Sequence, residues 1–302
     1  MFRTSPGRRA ILGLAVAVAL TTSVAACGSE SGSTGATTAT VASASADTSL
    51  ADKVPADIKA AGKLVIGTDS TYAPSEFLDA DGKTVIGFDV DVFNAVAQKL
   101  GLTTEWQSAK FDSIIPGVTS KKYAAGVSSF TINKDRLKQV TMVSYFNAGT
   151  QWAAKTGATI SPDDACGKKI AVQTSTVQAD DIAARSKKCT GAGQTKITVD
   201  QYQAQSDATN AVVTGKDDAM LADSPVCAYA VKQTNGQLAL LGDIYDSAPY
   251  GYVLPKDQAD TMAVAVQGAL KALIADGTYK TILAKWGVDA GAITDPTVNP
   301  TV

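Results

Sequence analysis

The chain has 302 residues, an apolar share of 45% and a formal net charge of −2, enough to bury one large core or two medium ones. It lacks the excess of Lys and Arg that a phosphate-tracking surface needs, so nucleic acid is not an expected partner. Histidine is absent, which removes Ser-His-Asp and Cys-His catalysis and leaves only cysteine and carboxylates as zinc ligands. No metal or cofactor is expected, while enzymes working with carboxylates or lysine alone stay open.

At the N-terminus Arg3, Arg8 and Arg9 precede an apolar run from Ala10 to Leu20, too short to span a bilayer comfortably and suited to the core of a secretory signal. Val24-Ala25-Ala26-Cys27 then has the small-residue pattern of a lipoprotein signal peptidase site. Residues 1–26 are therefore read as a leader and Cys27 as a lipidated first residue, anchoring the exported chain to the outer face of the cell membrane. Residues 27–55, mostly Ser, Thr, Ala and Gly, have too few large apolar residues to order themselves and read as a flexible tether. A coil of that length reaches roughly 25–30 Å r.m.s..

From Lys63 onward strand-like and helix-like segments alternate, which predicts an α/β fold with mostly parallel strands. Leu64–Gly67 is a first strand, and Val92, Phe93, Val96, Ala97 and Leu100 form an apolar helical stripe that Gly101 stops. Further helices are predicted over 111–119, 133–139, 176–188, 202–214, 224–235, 257–276 and 278–285. Strands are predicted over 123–127, 169–173, 196–199 and 219–222. Such a long alternation implies two α/β lobes, with crossings near 147–151 and 244–250. Lobe 1 is then discontinuous (56–147 and 250–302), lobe 2 covers 148–249, and two strands form the hinge beside a ligand cleft.

Of the four cysteines, Cys166 precedes a strand and Cys189 ends the helix that returns along it. In an exported chain a disulfide between them is the favoured reading. Cys227 is left as a small buried residue on an apolar helix face.

The run from Gly126 to Arg136, GVSSFTINKDR, leads a strand end into three hydroxyls and an arginine. Ser128, Ser129, Thr131 and Arg136 have the chemistry of a carboxylate clamp, the guanidinium offering a planar fork of donors. The same letters also fit a helix N-cap at Thr131 or Asn133 followed by a solvated charged turn.

Read together, the segments IGTDSTYAP from Ile66, DGKTVIGFDVD from Asp81, FDSIIP from Phe111, SSFTINKDR from Ser128, DDAMLAD from Asp217 and the final DGTY and KW resemble the bacterial family 3 solute-binding proteins. These are amino-acid receptors of ABC importers with a two-lobed, periplasmic-binding-protein-like (type II) fold. The resemblance covers about Gly62 to Trp286 and implies a role for each matched position. Arg136 takes a ligand α-carboxylate, helped by Thr131 and by backbone N–H groups at Thr176, where a helix N-terminus favours an anion. Asp223 takes the α-ammonium with Ser129. Tyr72 and Phe111 line the ligand's side chain, and Asp69 meets its distal group. Other roles stay open: a turn cap for Asp69, core packing for Tyr72 and Phe111, an N-cap for Asp223 and a strand end for Ser128.

Three departures from the family pattern bear on the side-chain pocket: Tyr123-Ala124-Ala125 after the lysine pair, Ser75 and Glu76 ahead of Phe77, and Val177 where some cation receptors carry Gln. Asp69 and Glu76 favour a polar or basic ligand. The expected function is a monomeric, lipid-anchored amino-acid receptor that delivers its ligand to an ABC permease and its ATPase, not an enzyme. The competing readings are a cyclohexadienyl or arogenate dehydratase-like enzyme and a ligand-sensing receptor on the same scaffold.

Overall fold

The computed structural model describes residues 45–302; the leader, Cys27 and most of the 27–55 tether lie outside the described residues. Two short helices, α1 (Thr48–Ala51) and α2 (Ala56–Ala61), open the described part. Asp47 caps α1 through Ser49 N and Leu50 N, and its own N–H donates to the Lys99 carbonyl at 2.8 Å. Leu50 packs against the neighbouring core and Val54 is buried. The tether expected to reach residue 55 is thus replaced by packed chain from Asp47, because two apolar side chains find a core to cover.

Next come β1 (Lys63–Thr68), the short strands β2 (Thr71–Tyr72), β3 (Glu76–Leu78) and β4 (Val85–Ile86), α3 (Phe88–Lys99), β5 (Thr103–Ser108), α4 (Phe111–Thr119), β6 (Ala125–Gly126) and α5 (Lys134–Gln139). A long strand β7 (Thr141–Lys155) leads to β8 (Lys169–Gln173), α6 (Val177–Gly191), β9 (Thr198–Tyr202), α7 (Gln205–Thr214), β10 (Ala219–Asp223) and α8 (Ser224–Gln233). A second long strand, β11 (Leu238–Leu254), precedes α9 (Met262–Ala275) and α10 (Thr278–Trp286). Helix α9 starts later than the expected residue 257, after a separate 3-10 turn over Lys256–Gln258. Tyr202, expected to open α7, instead ends β9.

One eight-stranded sheet runs β5-β1-β6-β11-β7-β10-β8-β9, and β2-β3-β4 form a small sheet apart. β1 pairs in parallel with β5 and β6, and β8 with β9 and β10. Among the described residues, only the two long strands, antiparallel to each other, link these halves of the sheet. Their ladder is interrupted between Leu241 and Tyr245, between Tyr245 and Ala248, and between Tyr250 and Gly251; such irregularities bend and twist a strand pair.

A parallel sheet covered by helices on both faces sends successive side chains into different cores. Leu64 and Ile66 of β1 enter a core with α3, α9 and α10, while Val65 packs with Phe111, Ile114 and Val118 of α4. Ile170 and Val172 of β8 meet Ile182 of α6, while Ala171 meets Ala208 and Val212 of α7. The fold is therefore two α/β lobes joined by two strands. Cys166 and Cys189 form the expected disulfide, with Cα atoms 5.7 Å apart. Cys227 is fully buried on α8 and its thiol donates to the Gln151 carbonyl.

Candidate functional site

The carboxyl ends of β1, β6, β8 and β10 deliver Asp69, Ser128, Gln173 and Asp223 to one place, the position where open α/β sheets bind ligands. All nine ligand contacts expected from the sequence line a single cavity: Asp69, Tyr72, Phe111, Ser128, Ser129 and Thr131, then Arg136, Thr176 and Asp223. Gln173, Val177 and Gln178 join them.

Arg136 sits in the first turn of α5, where Asn133, not Thr131, provides the cap by accepting from Arg136 N at 2.9 Å. Its guanidinium donates to the Thr131 carbonyl at 2.7 Å and, across the cleft, to the Ser175 carbonyl at 3.3 Å. The stacked rings of Phe111 and Phe130 lie 4.6 Å apart, and the guanidinium is 5.4 Å from each. Phe111 thus both packs in the core and lies within cation–π reach of the guanidinium. Burial lowers Arg136 to about 10, opposed by the charges of Asp223, Tyr72 and Asp180. It remains a cation at neutral pH.

Opposite it, Thr176 caps α6 by accepting from Ala179 N, so the first turn of a fifteen-residue helix faces the cleft. Asp223 stands at the N-cap position of α8 but makes no side-chain cap bond there. Instead its carboxylate accepts from the Tyr72 hydroxyl at 2.7 Å and from Gln178 Nε2 at 2.8 Å. Gln178 also donates to Thr150 Oγ1 at 3.0 Å. Burial raises Asp223, and the bonds from Tyr72 and Gln178 and the charge of Arg136 oppose that rise. Tyr72 differs from a plain aromatic platform: its ring packs in a second-lobe core, and burial beside Asp223 lifts its hydroxyl well above the usual tyrosine range.

Asp69 closes a turn, as one reading expects, and also lines the cavity. One oxygen accepts from Thr71 N and Thr71 Oγ1, closing a turn; the other accepts from Phe111 N and, across the cleft, from Gln173 Nε2 at 2.8 Å. Burial raises it, and those bonds counter the shift. Ser129 and Ser175 both hold positive φ, 47° and 61°, the sparsely populated backbone that tends to gather at binding sites.

Glu76, expected to shape the side-chain pocket, does not line the cavity. It is fully buried behind Ser128, whose hydroxyl donates to it at 2.9 Å. The backbone explains the detour. Gly87 has φ 140° and a Cβ there would strike the Ser75 carbonyl; this close approach seats β3 against the start of α3. Gln173 and Gln178 were missed from sequence, although two glutamines flanking a Thr-Ser-Thr turn at a strand end were the available signal.

A cation and two carboxylates fixed in a cavity between two α/β lobes define a bilobal small-solute-binding protein. The chain belongs to the bacterial extracellular solute-binding proteins, family 3, whose sequence pattern matches residues 64–289. It is 35% identical over 249 residues to the arginine-binding protein ArgT of Corynebacterium glutamicum, spanning 82% of this chain and 81% of that protein. It is 32% identical over 231 residues to the L-arginine-binding protein of Pseudomonas aeruginosa, covering 73% of this chain and 86% of the relative. Among solved structures, an ancestral arginine-binding protein bound to arginine superposes with a TM-score of 0.68 at 32% identity, over 74% of this chain and 98% of that one. No helix among the described residues is long and apolar enough to cross a membrane.

Proposed function

We propose that the chain is an extracytoplasmic receptor for a cationic L-amino acid of the arginine type, which it delivers to an ABC permease and its ATPase. The observation that carries this reading is the charge pattern of the cavity: one arginine and two aspartates, each buried and each already held by neighbours. In this reading Arg136, with Thr131 and the N-terminus of α6, takes the α-carboxylate. Asp223, with Ser129, takes the α-ammonium. Asp69 takes the distal cation, and Tyr72 and Phe111 enclose the aliphatic stem. Two carboxylates against one guanidinium leave a net negative cavity, matching a ligand of net charge +1. The two relatives described above, both arginine-binding proteins, support the same ligand class.

Arg136 and Asp69 belong to the first-lobe segments and Thr176, Gln173 and Asp223 to the second, so lobes bounded at 56–147 with 250–302, and at 148–249, close on the ligand. The bonds Asp69–Gln173, Tyr72–Asp223 and Arg136–Ser175 span those segments; a ligand replaces them with contacts available only in the closed state. Lipidation at Cys27 anchors the receptor, as a monomer, to the outer face of the membrane. The reading is one of binding and not catalysis, and the named relatives are binding proteins.

A thermal-shift screen of the twenty amino acids tests it. L-arginine and L-lysine should raise the melting temperature and acidic amino acids should not. No shift with any amino acid contradicts the proposal.

A further inference from the structure

Behind the two serines of the cavity lies a pair of carboxyl groups that the binding scheme above does not use. Glu76 on β3 and Asp89 in the first turn of α3 are both fully buried. Glu76 Oε1 accepts from Ser128 Oγ at 2.9 Å. Asp89 Oδ2 accepts from Ser129 N at 3.0 Å, from Ser129 Oγ at 3.3 Å, and from the Tyr145 hydroxyl in a very short bond. The remaining oxygens, Glu76 Oε2 and Asp89 Oδ1, are buried and have no donor among the described residues. The two carboxyl groups are held by the adjacent Ser128 and Ser129, and the charge of Asp89 acts on Glu76.

Two carboxylates whose charges meet in a buried site need a proton between them, since neither has anything else to donate. The hydrogen-bond arithmetic then reaches the cavity. Ser128 spends its hydrogen on Glu76 and one lone pair on Asp69 N, which donates to it at 3.0 Å. Ser129 spends its hydrogen on Asp89. Both serines line the cavity, and with their hydrogens spent both hydroxyls have only lone pairs left to offer.

We propose that Glu76 and Asp89 share one proton and act as a positioning pair, fixing the hydroxyls of Ser128 and Ser129 as acceptors toward the ligand's α-ammonium. This rests on the amino-acid receptor reading for its ligand. The shared proton itself does not. The pair also holds Ser129 at its positive φ, since Asp89 accepts both its N–H and its hydroxyl.

The proton leaves a signature in stability. Burial pushes Asp89 up to about 6 and Glu76 well above the ordinary carboxylate range, the charge of Asp89 adding to the rise at Glu76. The folded chain therefore holds a proton that the unfolded chain releases, and stability falls as pH rises through that window. The other titratable groups facing the pair are Asp69 after β1, Tyr145 on β7, Tyr252 on β11 and Tyr279 on α10. The tyrosines are raised and stay neutral throughout the window. Asp69 is common to every variant compared.

The test uses Glu76→Gln, Asp89→Asn and Asp89→Ala in the full chain, with melting at pH 5 to 8 and titration by L-arginine and by δ-guanidinovalerate, which lacks the α-ammonium. An amide N–H replaces the shared proton in Glu76→Gln and Asp89→Asn. Both should keep arginine affinity within about threefold and lose less melting temperature than the native chain between pH 5 and pH 8. Asp89→Ala frees the Ser129 hydroxyl and should weaken arginine roughly tenfold or more, with a smaller effect on δ-guanidinovalerate. An unchanged pH slope in both amide variants overturns the shared proton. Equal losses for arginine and δ-guanidinovalerate in Asp89→Ala overturn the positioning role. A native chain that binds no cationic amino acid overturns the receptor reading, while the melting comparison still decides the proton.

Discussion

Replacing Arg136 by methionine separates what the guanidinium does for a ligand from what it does for the fold. Burial lowers Arg136 to about 10, which against an ordinary arginine amounts to about 3 kcal/mol lost from its charged form on folding. Methionine keeps most of the volume between the Phe111 and Phe130 rings and removes that penalty. It also strands the Thr131 carbonyl, which now accepts at 2.7 Å, at a cost of about 1–3 kcal/mol. The two nearly offset, leaving a net change of about 0–2 kcal/mol in favour of the variant. For a chain of this size that is a rise in melting temperature of no more than about 8 °C. Binding behaves oppositely. A ligand carboxylate buried without its partner costs about 3–5 kcal/mol, a loss of more than a hundredfold in affinity. Differential scanning fluorimetry without ligand and isothermal titration with L-arginine read the two quantities separately. A melting temperature about 5 °C or more below native would refute the reasoning, because Arg136 would then be part of the structural frame and not a cation held in reserve for an anion.

Other consequences are as specific. Asp223→Ala should cost about 3 kcal/mol or more in arginine affinity, since the ammonium loses its carboxylate in a buried site, and calorimetry measures it. Arginine affinity should depend on acid: burial raises Asp69 and Asp223 from the ordinary aspartate value, and a cationic ligand needs them ionised. Affinity is therefore complete above their raised values and lost as pH falls through them, beginning before ordinary surface carboxylates titrate; titrations at descending pH check the sign. Removing the disulfide by Cys166→Ala with Cys189→Ala opens a loop of 23 residues and should cost about 3 kcal/mol on the chain-entropy view, or roughly 6–12 °C of melting temperature. Gly87→Ala forces a Cβ onto the Ser75 carbonyl at a positive φ and should destabilise the chain by at least about 2 kcal/mol, read by urea unfolding.

Side chains whose chemistry is local were legible before any fold was known. Ser128, Ser129, Thr131 and Arg136 lie within nine residues, and the resemblance to family 3 supplied the far side, Thr176 and Asp223. The two long strands were less legible. β7 is buried almost throughout and so shows no alternation, while β11 carries Gly242, Pro249 and Gly251 near its irregularities and reads as loop. What Glu76 does was hidden for a different reason. Its neighbours are set by the close approach of Gly87 to Ser75, a contact between backbones that no periodicity announces. The same holds for Tyr72, whose hydroxyl reaches Asp223, 151 residues away in sequence.

The central claim is that a fixed arginine and two fixed aspartates select a cationic amino acid. Calorimetric titration of the chain with L-arginine and with L-citrulline, its neutral near-isostere, tests this most directly. Arginine should bind at least about tenfold more tightly, a difference worth about 1.4 kcal/mol or more, and Asp69→Asn should erase most of that preference. Equal affinity for the two ligands, or a preference that survives Asp69→Asn unchanged, would contradict it.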